Sequence, residues 1–334
     1  MRGLRYLSGT TWIILLLAFA LVWLLTTSLH TIQPSMPLVT QNLHAESILK
    51  PHFSGDYGNA ALTNLSVWSS GLFARTMHAY TEGTKKECTS PSGCSQAIAH
   101  RRSVEPKGFD KYDLFNPFIS CPGGSAMQRL GGSIQDDGGK WLCTDLLTTA
   151  PCTIFSLGSN GDFSFENAML EATPCKIFTF DCTVDGNSIN ERHQYHKKCI
   201  GTAARADTDA DRFITLDQAA QLVGVQTINL LKIDIEGFEF DTLSSWSQLD
   251  RFLPEQVAIE IHHSEVIYHG ISQNAQDDFS NLLWPMHDLT LSDLSLFFHH
   301  LASLGYGVVS REDNLPYGRC CSEFLLLKVA DHTI

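Results

Sequence analysis

The sequence predicts an α/β domain with a doubly wound, mostly parallel β-sheet. Short apolar runs of strand length alternate with amphipathic runs of helix length after residue 141. Strands that alternate with helices need right-handed crossover connections, and these place helices on both faces of the sheet. The chain has 334 residues, 43% of them hydrophobic, so it can bury a substantial core. These observations exclude a disordered chain.

The predicted elements follow one another in a regular order. The strands are expected at Thr153–Leu157, Lys176–Phe180, Lys198–Ala204, Ile228–Ile233 and Val257–Ile261, with closing apolar segments at Gly307–Ser310 and Glu323–Val329. The helices are expected at Ser164–Ala172, Leu216–Val223, Phe238–Leu249 and Leu291–Leu304. Thr215 is the expected cap of the second helix, since threonine is favoured at that position.

The N-terminal region predicts a membrane anchor. Residues 12–25 carry no charge, two arginines precede them and no lysine or arginine follows until Lys50. A run of this length can span a bilayer, and the charge asymmetry places the N-terminus in the cytosol. We therefore predict a cytosolic tail at 1–10 and a transmembrane signal anchor at 11–29. The alternative is a cleaved signal peptide followed by secretion.

Residues 30–106 are predicted to form a lumenal stem, with one short helix near Val67–Tyr80, and residues 107–334 the folded domain. Asn64 begins an N-glycosylation sequon. This layout predicts a type II membrane protein with a lumenal domain, as found in the Golgi. It also makes the membrane a partner of the chain through its anchor.

Charge and cysteine content agree with such a location. The chain contains ten cysteines, and an even number in an oxidising lumen predicts disulfides without choosing their pairing. Zinc is the weaker alternative, because the sequence has no pair of cysteines with two residues between them. The formal charge of −13 gives the chain no general affinity for nucleic acid. The sequence does not indicate an oligomeric state.

The end of the first strand predicts a cofactor site. Gly158, Ser159, Asn160 and Gly161 form a turn at which backbone can approach a ligand closely. Asp181 ends the second strand, 23 residues after Gly158, where it could accept two hydrogen bonds from a ribose diol. This pairing is typical of nucleoside cofactors. The alternatives are a plain strand-to-helix turn and an aspartate that caps the next segment.

The turn suits a cofactor without phosphate. It lacks the middle glycine of the dinucleotide-binding pattern, and Asp162 would repel a pyrophosphate. S-adenosylmethionine has an adenosine for Asp181 and a zwitterionic tail for the glycine turn. A nicotinamide-dependent oxidoreductase is a disfavoured alternative.

Several segments carry a family resemblance. They are residues 230–239 (LLKIDIEGFE), 213–217 (FITLD), 260–262 (EIH) and 137–143 (DGGKWLC). The chain resembles the FkbM-type S-adenosylmethionine-dependent methyltransferases and the membrane-anchored methyltransferase-like proteins of animal secretory pathways, over residues 107–334. The resemblance implies a Rossmann-like class I methyltransferase fold and O-methylation of hydroxylated compounds and sugars. Ser156 stands where that family commonly has an acid, so Asp162 or Asp234 is a candidate for the cofactor amino group.

The candidate catalytic residues are Asp234, Glu236, His262 and His263, which end the fourth and fifth strands. A histidine with a pKa near neutrality, oriented by a carboxylate, could take the proton of an alcohol acceptor. Asp234 is also a candidate cofactor residue. The alternatives are that Glu236 caps the following helix and that one of the two histidines points away.

Asp234, Glu236 and His262 could instead hold Mg²⁺ or Mn²⁺, an alternative that we do not favour. Residues 137–141 are interpreted either as a lid over the cofactor or as a turn before a buried tryptophan. The sequence thus predicts a methyltransferase acting on a glycan or another hydroxylated acceptor. The alternative from a different class is a catalytically silent binding protein with the same fold.

Overall fold

A computed structural model describes residues 49–87, 110–132, 138–248, 250–263, 289–314 and 321–332. The predicted cytosolic tail and anchor lie outside these residues. Among the described residues, no helix is both long and apolar enough to cross a membrane.

The described residues form the following elements. The strands are β1 (Leu49–Pro51), β2 (Gln128–Leu130), β3 (Lys140–Leu142), β4 (Thr153–Leu157), β5 (Lys176–Phe180), β6 (His193–His196), β7 (Cys199–Ile200), β8 (Phe213–Ile214), β9 (Leu230–Ile233), β10 (Gln256–His262), β11 (Tyr306–Asp313), β12 (Cys321–Lys328) and β13 (Ala330–His332). The α-helices are α1 (Gly55–Glu87), α2 (Ser164–Ala172), α3 (Ala203–Thr208), α4 (Leu216–Val223), α5 (Glu239–Ser244) and α6 (Leu291–Ser303). Short 3₁₀ turns span Asp113–Phe115, Pro122–Gly124 and Thr144–Leu147.

The central sheet has seven strands in the order β11-β12-β10-β9-β4-β5-β6. The five strands from β10 to β6 in this order are parallel, and β12 is antiparallel to both of its neighbours. The chain runs outward from β4 through β5 to β6 and then returns to the other side of β4 with β9. The carboxyl ends of β4 and β9 are therefore the switch point at which an open α/β sheet binds its ligand.

Burial on both faces explains why the central strands are continuous apolar runs. All residues of β4 and β9 are buried. Phe155 and Leu157 belong to one apolar cluster and Ile154 to a second. Because successive side chains of a strand point to opposite faces, the two clusters cover the two faces of the sheet. The predicted α/β fold is confirmed.

The predicted elements and the observed ones agree best near the middle of the sheet. The predicted bounds of β4, β5, α2 and α4 are those of the structure. Thr215 caps α4 by accepting a hydrogen bond from the backbone N–H of Gln218, whose side chain bonds back to the Thr215 backbone. This reciprocal arrangement fixes the start of α4.

The predicted strand at Lys198–Ala204 is wrong. The third strand of this half of the sheet is β6, and the predicted range holds the two-residue β7 and the start of α3. β6 has the sequence HQYH and pairs with a single neighbour, β5, at the edge of the sheet. An edge strand needs no continuous apolar run, so the apolar pattern of the sequence does not indicate β6.

The predicted helix at Phe238–Leu249 is also too long, since α5 ends at Ser244. The hydroxyl of Ser245 donates to the carbonyl of Thr242, and that of Ser244 donates to the carbonyl of Asp241. Serine side chains that bond to nearby backbone compete with helix continuation.

The segment from Leu49 to Glu87 belongs to the folded unit and is not a stem. β1 pairs antiparallel with β13 near the C-terminus, and α1 is 33 residues long. The hydroxyls of Thr76 and Ser295 lie 2.8 Å apart, which joins α1 to α6. The compact unit extends from Ser47 to Ile334, so it begins well before the predicted boundary at residue 107. Alanines on the buried face of α1 weakened its apolar pattern.

Disulfides, predicted from the cysteine count, are confirmed. The described residues contain the pairs Cys121–Cys143, Cys152–Cys175 and Cys182–Cys199, and none of their cysteines is free. Cys88 and Cys94 lie outside the described residues. Each of the three pairs joins cysteines 17 to 23 residues apart, so each closes a short loop.

Candidate active site at the carboxyl ends of β4 and β9

The glycine turn and Asp234, predicted separately, meet at the switch point. Gly158 has a φ of +76°, and a Cβ atom there would lie 1.8 Å from the backbone oxygen of Asp234. Only glycine, which has no Cβ atom, allows two backbone segments to approach this closely. Asn160 adopts a φ of +48°, an uncommon conformation for a residue with a side chain. The turn from Gly158 to Gly161 is thus closely fitted to the end of β9.

Asp181 holds this turn in place. Its Oδ2 accepts hydrogen bonds from the backbone N–H groups of Ser159 and Asn160, both at 2.8 Å, and from the Ser159 hydroxyl. Its Oδ1 accepts two more from the backbone N–H and hydroxyl of Thr183. Burial raises the pKa of Asp181, but these hydrogen bonds outweigh it and the pKa is lowered. A ribose diol would have to displace Thr183, so the ribose contact stays a prediction.

Asp162, the candidate substitute for the missing acid, bonds to the backbone at the start of a helix. Its Oδ1 accepts a hydrogen bond from the backbone N–H of Ser164 at 2.8 Å, at the start of α2. The hydroxyl of Ser156, at the position of the missing acid, is buried and has no hydrogen-bond partner among the described residues.

Lys232 ties the ends of β4 and β9 together. Its side chain is buried in β9 and its Nζ donates a hydrogen bond to the backbone oxygen of Gly158. The same Nζ lies 3.8 Å from Oδ2 of Asp234. A single buried ammonium group therefore contacts both halves of the predicted cofactor site.

A second buried ammonium group comes from the β2–β3 hairpin. Nζ of Lys140 donates to Oε1 of Glu323 and lies 3.4 Å from Oδ2 of Asp234. Burial alone would raise the pKa of Asp234. The positive charges of Lys140 and Lys232 have a larger effect in the opposite direction, so this pKa lies well below its usual range. Asp234 is therefore an anion held between two cations. Residues 137–141 were interpreted as a lid or a turn. Two of them, Lys140 and Trp141, belong to β3, and the lid role stays a prediction.

A tight turn follows β9. Glu236 has a φ of +54° and Gly237 a φ of +100°, and the backbone N–H of Phe238 donates to the carbonyl of Ile235. The buried carboxylate of Glu239 accepts hydrogen bonds from the N–H groups of Ile235 and Gly237 at 2.8 and 2.9 Å. Glu239, rather than Glu236, is thus the carboxylate that organises this turn.

Glu239 also orients His262. Nδ1 of His262 lies 3.1 Å from Oε1 of Glu239, while Nε2 faces Glu236 at 3.6 Å and Glu260 at 3.8 Å. Burial lowers the pKa of His262, but the charges of Glu239 and Glu260 outweigh it, and the pKa lies well above its ordinary value. His262 therefore holds its proton more tightly than an ordinary histidine, which differs from the expected base with a pKa near neutrality.

His263 has an aromatic neighbour, and the alternative that one of the two histidines points away stays a prediction. Its ring packs against Tyr112 at a centroid distance of 5.2 Å. Of the four candidate catalytic residues, Asp234, Glu236 and His262 come together.

A row of carboxylates crosses the sheet beside the site. Glu260 on β10 lies directly opposite Glu323 on β12, and Glu323 lies opposite Glu312 on β11. Burial, with the charge of Asp234 nearby, raises the pKa of Glu260 well above its ordinary value, and burial also raises that of Glu323. The inner carboxylates of this row therefore retain protons more readily than exposed ones.

The same groups were weighed as a metal site. The ligand atoms of Asp234, Glu236 and His262 all lie within 4.8 Å of one another, a separation that a divalent cation could bridge. The ammonium groups of Lys140 and Lys232 already lie 3.4 and 3.8 Å from the Asp234 carboxylate. A metal ion at these groups stays an alternative that we do not favour.

Three residues of the site were missed as site residues. Lys232 and Glu239 lie within the motif that carries the family resemblance, so the signal was present in the sequence. Lys140 gave a weaker signal, a single lysine inside the short strand KWL. Its burial depends on partners from strands that are distant in sequence.

The strand order, the antiparallel β12 and a glycine turn facing an acid at the switch point define a Rossmann-like class I methyltransferase. The chain matches the family model Methyltransf_22, described as a methyltransferase domain, over residues 101–328. The match covers more than half of the chain, and the chain therefore belongs to this family of methyltransferase domains. The finer FkbM resemblance and the membrane-anchored subgroup stay predictions.

Solved methyltransferases give only distant likenesses. The fibrillarin pre-rRNA processing protein of Methanococcus jannaschii is 11% identical, with 62% of this chain and 92% of that chain covered and a TM-score of 0.29. The methyltransferase (CMeT) domain of the citrinin polyketide synthase is 13% identical, with 81% and 65% covered and a TM-score of 0.29. A geranyl diphosphate C-methyltransferase from Streptomyces coelicolor A3(2) is 11% identical, with 57% and 78% covered and a TM-score of 0.27. Scores this low support no conclusion. A comparison with curated proteins found no match.

Proposed function

We propose that this S-adenosylmethionine-dependent methyltransferase transfers a methyl group to a hydroxyl of a neutral glycan or a similar hydroxylated acceptor. The observation that carries the proposal is the fit of the Gly158 turn against Asp234 at the switch point of the sheet. Parallel α/β sheets bind their ligands at this position. The exposed carboxylate of Glu236 lies beside it, with His262 at 3.6 Å.

The cofactor supplies an activated methyl group on a sulfonium, and the chain supplies position and charge. The Gly158–Gly161 turn offers backbone at close range, and Asp181 keeps that turn rigid. Asp234 places a fixed negative charge beside it, which favours a cationic ligand. Alignment of donor and acceptor accounts for much of the rate in such an in-line displacement.

Glu236 is the residue placed to meet the acceptor. Its side chain is 52% exposed, whereas those of Glu239 and Glu260 are buried. As the new C–O bond forms and the bond from methyl carbon to sulfur breaks, the hydroxyl proton passes to this carboxylate. The imidazolium of His262, held by Glu239, orients Glu236 and does not itself take the proton. This replaces the base role that the sequence suggested for His262.

A secretory location supports a glycan acceptor. Disulfides form and persist in oxidising compartments, and the described residues contain three. The uncharged segment 12–25 behind two arginines favours a type II anchor with the domain in the Golgi lumen. The charge of −13 favours a neutral acceptor over a sulfated chain, which it would repel.

The test is methyl transfer by the full-length chain purified from secretory cells. Methyl-labelled donor is offered with a neutral glycan, a sulfated glycan and a glycan-free peptide. We expect label on the neutral glycan, and a loss of about a hundredfold or more in Glu236→Gln, the usual contribution of a general base. Glu171→Gln, the same change at an exposed position of α2, should retain the activity. Label confined to the peptide would refute the glycan acceptor, and bound donor without any transfer would favour the silent binding protein.

A further inference from the structure

The buried lysine of the β2–β3 hairpin is not the only residue that attaches this hairpin to the described part of the sheet. Lys140 is 1% exposed, and an ammonium group taken out of water is costly unless it is paired. The hairpin is anchored independently of it. The indole N–H of Trp141 donates to Glu312 at 2.5 Å, and the guanidinium of Arg129 contacts the same carboxylate at 3.3 Å. An apolar residue at position 140 would bury as well without needing partners.

The position of the ammonium group indicates what it does. It lies between Glu323 on β12 and Asp234 at the end of β9, so it reaches across the strand that carries Glu260. Asp234 in turn touches the Gly158 turn through its backbone. Lys140 is thereby the link between the antiparallel half of the sheet and the switch point.

We propose that Lys140 is a positioning residue, which holds the Asp234 carboxylate as an anion against the Gly158 turn for binding of the cationic methyl donor. This inference rests on the proposed function, because it takes the donor to bind at the switch point. Lys140 itself does not contact the donor. It acts through Asp234.

The charge balance around Asp234 makes this role measurable. The charged and titratable groups facing the pair are Lys232 on β9, Glu260 and His262 on β10, Glu312 on β11, Glu323 on β12, and Glu236 and Glu239 after β9. Carboxylates outnumber cations in this set. Without the ammonium group of Lys140, the carboxylates beside it lose a compensating charge, and the cluster formed by Asp234, Glu260 and Glu323 takes up a proton more readily.

The test measures the affinity of the full chain for S-adenosylmethionine by calorimetry between about pH 7 and pH 5. In Lys140→Met the affinity should fall by about tenfold more than in the wild type over this range, because a donor that needs the anionic cluster must then displace a proton from it. Lys140→Arg keeps the charge and should restore the wild-type slope. Trp141→Phe loosens the hairpin at its other anchor and should also keep that slope.

Each outcome decides the matter. Equal slopes in Lys140→Met and the wild type overturn the inference, and so does a steep slope in Trp141→Phe, which would indicate a merely structural hairpin. If Lys140→Met does not fold, Asp234→Asn replaces it and should bind about tenfold more weakly at every pH. An unchanged affinity there overturns the inference too. A wild-type chain that binds no donor at all refutes the proposed function instead.

Discussion

Glu239 is the residue on which the local order of the site depends most. It is buried, and its two oxygens accept hydrogen bonds from the backbone of Ile235 and Gly237 while one also contacts His262. It thereby fixes the turn that presents Glu236 at a positive φ. A residue in that conformation persists only where its surroundings determine it.

Replacement of Glu239 by glutamine should make the stability of the protein depend differently on pH. The pKa of His262 is raised in the folded protein, so its contribution to stability is fully present below its unfolded value of about 6.5. That contribution is lost as the pH rises through the folded pKa. At about pH 6, Glu239→Gln should be less stable by about 1.5–3 kcal/mol, the value of a hydrogen bond to a charged group. The difference should narrow at alkaline pH.

Denaturant unfolding at several pH values measures this difference, with Glu171→Gln as the control at an exposed position. A gap between wild type and Glu239→Gln that stays constant with pH would contradict the assigned partnership of His262 and Glu239.

At the residue scale the sequence indicated positions better than contacts. Asp234 and His262 were expected near one another because parallel strands end at the same edge of the sheet. The raised pKa of His262 was not predictable, since it arises from Glu239 and Glu260, whose burial depends on the folded sheet. The hydrogen bonds that occupy Asp181 come from a turn whose geometry the sequence does not specify.

At the scale of elements, the largest departure from expectation is α1. Leu65 and Leu72 of this helix are buried, and Thr76 bonds to Ser295 of α6. The region carries prolines and glycines and lacks a sustained apolar stripe, which favoured a stem in the sequence. The partner of α1 is a helix more than two hundred residues later, so its burial could not be inferred locally.

Two neighbouring residues of α1 test whether it belongs to the folded unit. Leu72 is 2% exposed and Phe73 is 76% exposed. Leu72→Ala should destabilise the protein by about 2–5 kcal/mol, as large-to-small changes in a core do. Phe73→Ala should change stability by less than about 0.5 kcal/mol, as at ordinary surface positions. Denaturant titration gives the free energy of unfolding of both variants. If neither variant changed this free energy, α1 would not be part of the cooperative fold.

The elements that were predicted correctly share a physical cause. β4 and β5 lie inside the sheet, with neighbours on both sides, and the interior of a parallel sheet demands continuous apolar runs. β6 lies at an edge and carries histidines, a glutamine and a tyrosine, so the same rule does not apply to it. Apolar sequence patterns indicate burial, and they are weaker in a strand at the edge of a sheet.

At the scale of the whole molecule, the predicted topology concerns how the chain reaches its acceptor. The anchor at 11–29 lies outside the described residues, while Asn64 of the sequon lies exposed on α1. Its amide nitrogen contacts the backbone oxygen of Phe118 at 3.4 Å. An exposed sequon behind an anchor with arginines before it would receive a glycan in the lumen.

Expression in cells with intact microsomes tests this topology. The full chain should lose a glycan-sized mass on treatment with an N-glycosidase, and Asn64→Gln should abolish that loss. Without detergent, protease should leave the fragment after residue 30 intact. Complete digestion in sealed microsomes would contradict the lumenal location.

The central claim is that the switch point between β4 and β9 binds S-adenosylmethionine. Calorimetric titration of the full chain with this donor tests it most directly, with Gly158→Ala as the decisive variant and Gly224→Ala as its matched control. Both glycines have a φ near +70°, but a Cβ atom at Gly224 meets open space, whereas one at Gly158 would lie 1.8 Å from the Asp234 backbone. We expect one donor bound per chain in the wild type and in Gly224→Ala, and none in Gly158→Ala. No binding by the wild type, or equal binding by all three chains, would contradict the assignment of the site.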